Sequence, residues 1–131
     1  MSAPSLQSFQ DQVSELLLRH RSLLDVMSKM GQTNAAAVRS VTKAVTECGC
    51  VELHATKQEF EPGMSLEQAK ERINQHVQGE LCENCRDAIS NELGRSLFYT
   101  SALCNLLGIE LDEVLEKESQ KCSTLGLFNM S

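Results

Sequence analysis

The chain has 131 residues, enough for one domain spanning 1–131, with a formal net charge of −6, seven Gly, two Pro, four Phe, one Tyr and no Trp. An acidic balance with no compensating basic run argues against binding to nucleic-acid backbones, and no stretch approaches the length of apolar sequence that a membrane span needs. The first residues lack a basic region followed by an apolar run, so no secretory signal is expected; in a cytoplasmic, reducing setting six cysteines are expected as thiols or metal ligands rather than disulfides.

Scarce Gly and Pro, with abundant Leu, Ala, Glu, Gln and Ser, predict an all-α fold. Over residues 5–30, Leu6, Phe9, Val13, Leu16, His20, Leu23, Met27 and Met30 recur in steps of three and four, which predicts one continuous helix with a bundle seam. Leu17 and Leu24 widen the stripe, and His20 reads as a seam histidine. Gly31 is a natural stop and Thr33 or Asn34 a natural N-cap. A second helix is then expected from about residue 35 to the mid-50s, with Val38, Val41, Val45, Cys48 and Val51 on one face. Glu61-Pro62-Gly63 marks a turn, and Ser65 with Gln68 forms a capping-box pattern opening a short helix to about Val77, ended by Gly79. The third long helix is expected to start near Cys82 to Asn84 and to end at Gly108, with a seam of Cys85, Ile89, Leu93, Leu97, Thr100, Leu103 and Leu107. A last helix is expected from about Leu111 to Cys122, and the apolar tail Leu125-Gly126-Leu127-Phe128 is expected to pack on the domain or on a second copy.

Four of the six cysteines fall in two close pairs, Cys48-Gly49-Cys50 and Cys82-Glu83-Asn84-Cys85, 31 residues apart. Each pair can supply two corners of a tetrahedron, and together they can close a structural zinc site. Cys82 and Cys85 sit three apart at an expected helix start, where the helix dipole favours thiolates. Residues two apart point about 200° apart around a helix, so Cys48 and Cys50 can cooperate only if Gly49 bends the backbone. Alternatively, Cys50 and His54, four apart, share a helix face and leave Cys48 in the core. The four-cysteine set is preferred because a CxC turn is a compact metal clip. Without a metal the same thiols would fill space or form a redox pair. Cys104 reads as a core thiol and Cys122 as a late-helix thiol.

A second signal runs through residues 88–118: Asn91-Glu92-Leu93-Gly94, Leu97-Phe98-Tyr99, Ala102-Leu103, Leu107-Gly108-Ile109-Glu110-Leu111 and Glu113-Val114-Leu115-Glu116-Lys117-Glu118. This stretch resembles the MazG-like family of all-α nucleoside triphosphate pyrophosphohydrolases. The resemblance implies a four-helix core, here with one short extra helix, and a homodimer or higher homo-oligomer. It also implies a site in which EExxE and ExxD carboxylates hold Mg²⁺ against substrate phosphates, cleaving NTP to NMP and pyrophosphate. Carboxylates three or four apart share a helix face, and two such helices form a basket for hard cations.

The chain departs from that pattern. Glu92 matches the glutamate of the second motif, but Arg95 stands at the aspartate. In the first motif, Thr46, Glu47 and Cys50 stand where three glutamates are expected. By this resemblance Glu47 and Glu92 are the candidate catalytic carboxylates and Arg95 a candidate phosphate contact; an arginine opposes a metal cation and cannot ligate it. Cys50 replacing a carboxylate suggests a softer zinc site beside a lost magnesium site. The leading expectation is therefore a divergent MazG-like binding or regulatory module with a structural zinc. The alternatives are an active pyrophosphohydrolase with altered ligands, drawing on Glu52 or Asp87 as well, or a cysteine-based metal or redox sensor.

Overall fold

The structure, a computed structural model, describes residues 3–16 and 22–125. The class is all-α. Among the described residues, five α-helices run in chain order, α1 (Leu6–Leu16), α2 (Leu23–Lys43), α3 (Leu66–Arg72), α4 (Glu83–Leu107) and α5 (Leu111–Leu125), with a π-helical turn at Ala44–Cys48. Two three-residue strands, β1 (Val51–Leu53) and β2 (Val77–Gly79), pair antiparallel. Leu17, His20 and the tail residues Gly126, Leu127 and Phe128 lie outside the described residues.

The chain divides into two compact units, one of residues 1–37 with 91–131, the other Val38–Ser90. In the first, Val13 of α1, Val26 of α2 and Ala102 of α4 form a buried core, with Phe9, Phe98 and Leu103 packed against it. The buried Gln10 fastens α1 to the α4–α5 corner. Its amide Nε2 donates to the Ile109 carbonyl at 2.8 Å, its Oε1 accepts from the Leu111 N–H at 2.8 Å, and its own carbonyl accepts from Asn105 Nδ2 at 3.0 Å. At this corner the helix ends as expected: Gly108 is left-handed at φ +68°, and the Ile109 N–H returns to the Cys104 carbonyl. Cys104 is buried, and burial pushes its thiol pKa up; Cys122 is exposed.

The continuous helix expected over residues 5–30 is interrupted at Ser22, a bend whose carbonyl accepts from the Val26 N–H at 3.0 Å. α1 is described as far as Leu16, and α2, from Leu23, runs through Gly31 without interruption. A lone glycine costs a helix about 1 kcal/mol, which the strong helix formers around it, including Ala35 to Ala37, easily offset. Thr33 is accordingly no N-cap: it is buried, and its hydroxyl bonds the Met30 carbonyl at 3.0 Å.

In the second unit, the helix expected to reach the mid-50s stops at Cys48. The final turn widens to i→i−5 geometry, with the Gly49 N–H donating to the Ala44 carbonyl at 2.9 Å, and Gly49 adopts φ +77°. Val51 is therefore in a strand rather than on a helix face. The Ser65 capping box forms with both reciprocal bonds present. The helix it opens ends at Arg72, not Val77, because Val77 pairs with Leu53 and Gly79 with Val51. Beyond the strands, the His54 N–H donates to the His76 carbonyl at 2.7 Å, and Gln58 exchanges two hydrogen bonds with the Asn74 backbone. The excursion between β1 and β2 is thus closed at its base.

Candidate metal centre

Cys48, Cys50, Cys82 and Cys85 converge: their Sγ atoms all lie within 4.8 Å of one another. Local structure delivers each one. The π-helical turn ends at Cys48, the left-handed Gly49 turns the chain, and Cys50 follows at the mouth of β1. Cys82 is the N-cap of α4. Its carbonyl accepts from the Arg86 N–H at 2.9 Å, and its sulfur accepts from the Cys85 N–H at 3.4 Å, taking the place a serine or aspartate oxygen usually holds. Cys85 lies one turn into the helix.

The β-ribbon sets the remaining distance between the pairs. Gly79, at φ +88°, lies so close to Cys50 that an added Cβ would stand 2.5 Å from the Cys50 carbonyl oxygen. Only glycine permits that approach, so β2 holds the Cys50 backbone in place.

The dimensions suit a metal ion. Sulfurs about 2.3 Å from a central ion mark out a tetrahedron with edges of about 3.8 Å, and Cys48 Sγ to Cys82 Sγ is 3.8 Å. The same separation excludes a disulfide in this state; all four are free thiols, three half-buried and Cys48 exposed. Without a cation the group shares protons unevenly. The Cys85 backbone N–H and thiol both bond to Cys82 and lower its pKa to about 7, while donation to Cys82 and desolvation raise Cys85 to about 12. A shallow cleft beside the cluster is lined by Lys43, Glu47, Asn84 and Ala88 together with Cys48 and Cys85, so one cation and one carboxylate border the thiols.

His54 is not in the group. The chain extends as β1 after Cys50, which removes the shared helix face, and His54 Nε2 instead lies 3.0 Å from Glu52 Oε2. Glu47 borders the thiol cleft in the second unit, whereas Glu92 and Arg95 belong to the first. There Arg95 Nη1 is 3.8 Å from Glu92 Oε1, and Glu92 Oε2 is buried without a hydrogen-bond partner. Among the described residues, the four cysteines are the one group of three or more Cys, His, Asp or Glu side chains placed to share an ion. Gly79 is the functional residue that sequence reasoning misassigned. Its signal was a glycine three residues before Cys82, in a segment with Val77 that fits a strand as well as a helix end.

No protein-family model, curated protein or solved structure matches this chain. None of its helices is long and apolar enough to cross a membrane, among the described residues.

Proposed function

We propose that the four cysteines hold one structural zinc ion and that the protein is a zinc-clipped helical binding or regulatory module, a divergent relative of the MazG-like proteins. The observation that carries this reading is the convergence of the four sulfurs from two separate segments to within 4.8 Å of one another, with Cys48 and Cys82 at 3.8 Å. An all-thiolate set selects soft or borderline ions, and four protein ligands leave no open position for a substrate, which favours a structural over a catalytic role. The Cys85 N–H and the N-terminus of α4 help to stabilise the negative charge that the thiolates bring.

The MazG-like part of the proposal draws on the residue pattern of 88–118 and on the long α4 ending at Gly108. Support for a non-catalytic role comes from the Arg95 guanidinium beside Glu92, where that family would place a metal ligand.

Native mass spectrometry of protein purified without chelator tests the proposal. One zinc per chain, retained on buffer exchange and lost together with a fall in melting temperature on strong chelation, is the expected result. A metal-free mass with four alkylatable thiols in the folded protein refutes it.

A further inference from the structure

The Val38–Ser90 unit has very little core of its own. Among its described residues the buried hydrophobic side chains are Ala44 and Val51. A unit this small depends on a staple to stay folded. The thiol centre is placed to be that staple. Cys48 stands three residues before Val51 and Cys82 three residues after Gly79, and Val51 pairs with Gly79. The centre therefore fastens the open end of the ribbon. Any event that removes its metal also decides whether the ribbon stays closed.

The four thiols are not equally protected. Cys50, Cys82 and Cys85 are half-buried, whereas Cys48 is exposed. Cys48 borders a cleft of about 190 Å³, with Lys43 in the same wall, which leaves room for a small solute. Gly49, next in the chain, has nothing within 4 Å of the place a Cβ would occupy, so this side of the centre is not walled in. The Cys82 sulfur lies 3.8 Å from that of Cys48. A disulfide bond is about 2.05 Å long, so closure asks the two sulfurs to approach by about 1.8 Å. Zinc binding holds its cysteine ligands as thiolates, and an accessible thiolate beside a second thiol is the arrangement that peroxides oxidise to a disulfide.

We propose that hydrogen peroxide converts the zinc staple into a Cys48–Cys82 disulfide, expelling the ion while the ribbon stays closed. The inference rests on the zinc reading above and adds a regulation of that site. In the first step the Cys48 thiolate attacks one peroxide oxygen and the O–O bond breaks. Cys48 becomes a sulfenic acid, and the departing hydroxide takes a proton from solvent to form water. In the second step the Cys82 thiolate attacks the Cys48 sulfur. The S–S bond forms, the S–O bond breaks, and a second hydroxide leaves and is protonated. Two thiolates, one peroxide and two protons thus give one disulfide and two waters. Cys50 and Cys85 remain, half of a four-ligand structural set, and the zinc dissociates.

Cys82 and Cys85 form the competing pair. Both lie at the start of α4, so a bond between them would leave the Cys48–Cys50 segment unattached and the ribbon without its staple. The exposure of Cys48 and its distance to Cys82 favour the bond across segments. The chain then has two stapled states, one holding zinc and one that has released it, exchanged by peroxide and by a reducing thiol.

The test treats zinc-loaded protein with excess hydrogen peroxide. A chromophoric chelator reads the released zinc, peptide mass spectrometry maps the disulfide, and hydrogen exchange follows the amides of β1 and β2. One zinc per chain should appear in step with one Cys48–Cys82 disulfide, with the ribbon amides still protected. Dithiothreitol with added zinc should reverse the change. Cys48→Ser should lose zinc to peroxide at least roughly tenfold more slowly. Cys122→Ser, which removes the exposed thiol of α5, should lose it at the wild-type rate. Should Cys48→Ser bind no zinc, the disulfide map of the wild-type protein decides. Any of four results overturns the inference: zinc retained under excess peroxide, a Cys82–Cys85 disulfide, Cys48 oxidised to sulfinic acid without a disulfide, or ribbon amides that exchange freely once the zinc is out. A protein that purifies without zinc overturns the zinc reading instead. In that metal-free protein a Cys48–Cys82 disulfide under peroxide would sustain the pairing, and its absence would overturn this inference as well.

Discussion

Replacing Gly79 by alanine probes the link between the ribbon and the thiol centre. The new Cβ would lie 2.5 Å from the Cys50 carbonyl oxygen, a backbone atom that cannot rotate away, at a residue held at φ +88°. The left-handed conformation alone costs a non-glycine residue about 1 kcal/mol. Relieving the contact requires the strands to separate, which weakens a ladder hydrogen bond and shifts Cys50, for about 2 kcal/mol more. Because binding a structural metal is coupled to folding, a total of about 3 kcal/mol corresponds to a roughly 100-fold loss of apparent zinc affinity. Competition against a chromophoric chelator measures it. Two glycines calibrate the assay. Gly63 has φ +84° with nothing within 4 Å of an added Cβ, so Gly63→Ala should show the conformational cost alone. Gly31 lies within α2 with open space around it, so Gly31→Ala should stabilise the protein by about 1 kcal/mol. Equal zinc affinities for Gly79→Ala and Gly63→Ala would refute the claim that the ribbon positions Cys50.

Cys82→Ser should abolish retention of zinc and lower the melting temperature by about 10 °C or more, while Cys104→Ser should keep the zinc; native mass and calorimetry on both variants check this. Gln10→Leu leaves the Leu111 N–H and the Ile109 carbonyl without their partner and should destabilise the protein by about 2–4 kcal/mol in urea unfolding, with zinc content unchanged. With Mg²⁺ and a panel of nucleoside triphosphates, the wild-type protein should release no pyrophosphate; release that Glu92→Gln abolishes would restore the catalytic reading.

The sequence revealed the parts of this fold whose causes are local. The capping box at Ser65, the α4 start at Cys82 and its end at Gly108 each depend on a few adjacent residues, and each forms. The cysteine spacing was legible for the same reason: each pair is a short segment with its own geometry. The ribbon was not. Val51-Glu52-Leu53 and Val77-Gln78-Gly79 are too short to show a twofold alternation, and they pair across more than twenty residues of intervening chain. What fixes them is the Gly79–Cys50 approach and the flanking thiols, which are visible only in space. The α1–α2 break was hidden by a stripe whose period continues past Leu16, and Gly31 was over-read because packing decides whether a glycine ends a helix. Gln10 gave no signal, since a glutamine on a helix reads as surface until its partners at Ile109 and Leu111 are known.

The closed base of the β1–β2 excursion has a consequence for how this chain tolerates change in length. The ribbon, the Gln58–Asn74 bonds and the four thiols all act at the mouth of the excursion, while its outer turn at Gly63 meets open space. Doubling a loop's length beyond such a mouth costs only about 0.6 kcal/mol in closure entropy. The Pro62-Gly63 turn is therefore a natural splice point. A peptide tag or a small folded insert placed there would be carried on a stem closed by the ribbon and the Gln58–Asn74 bonds.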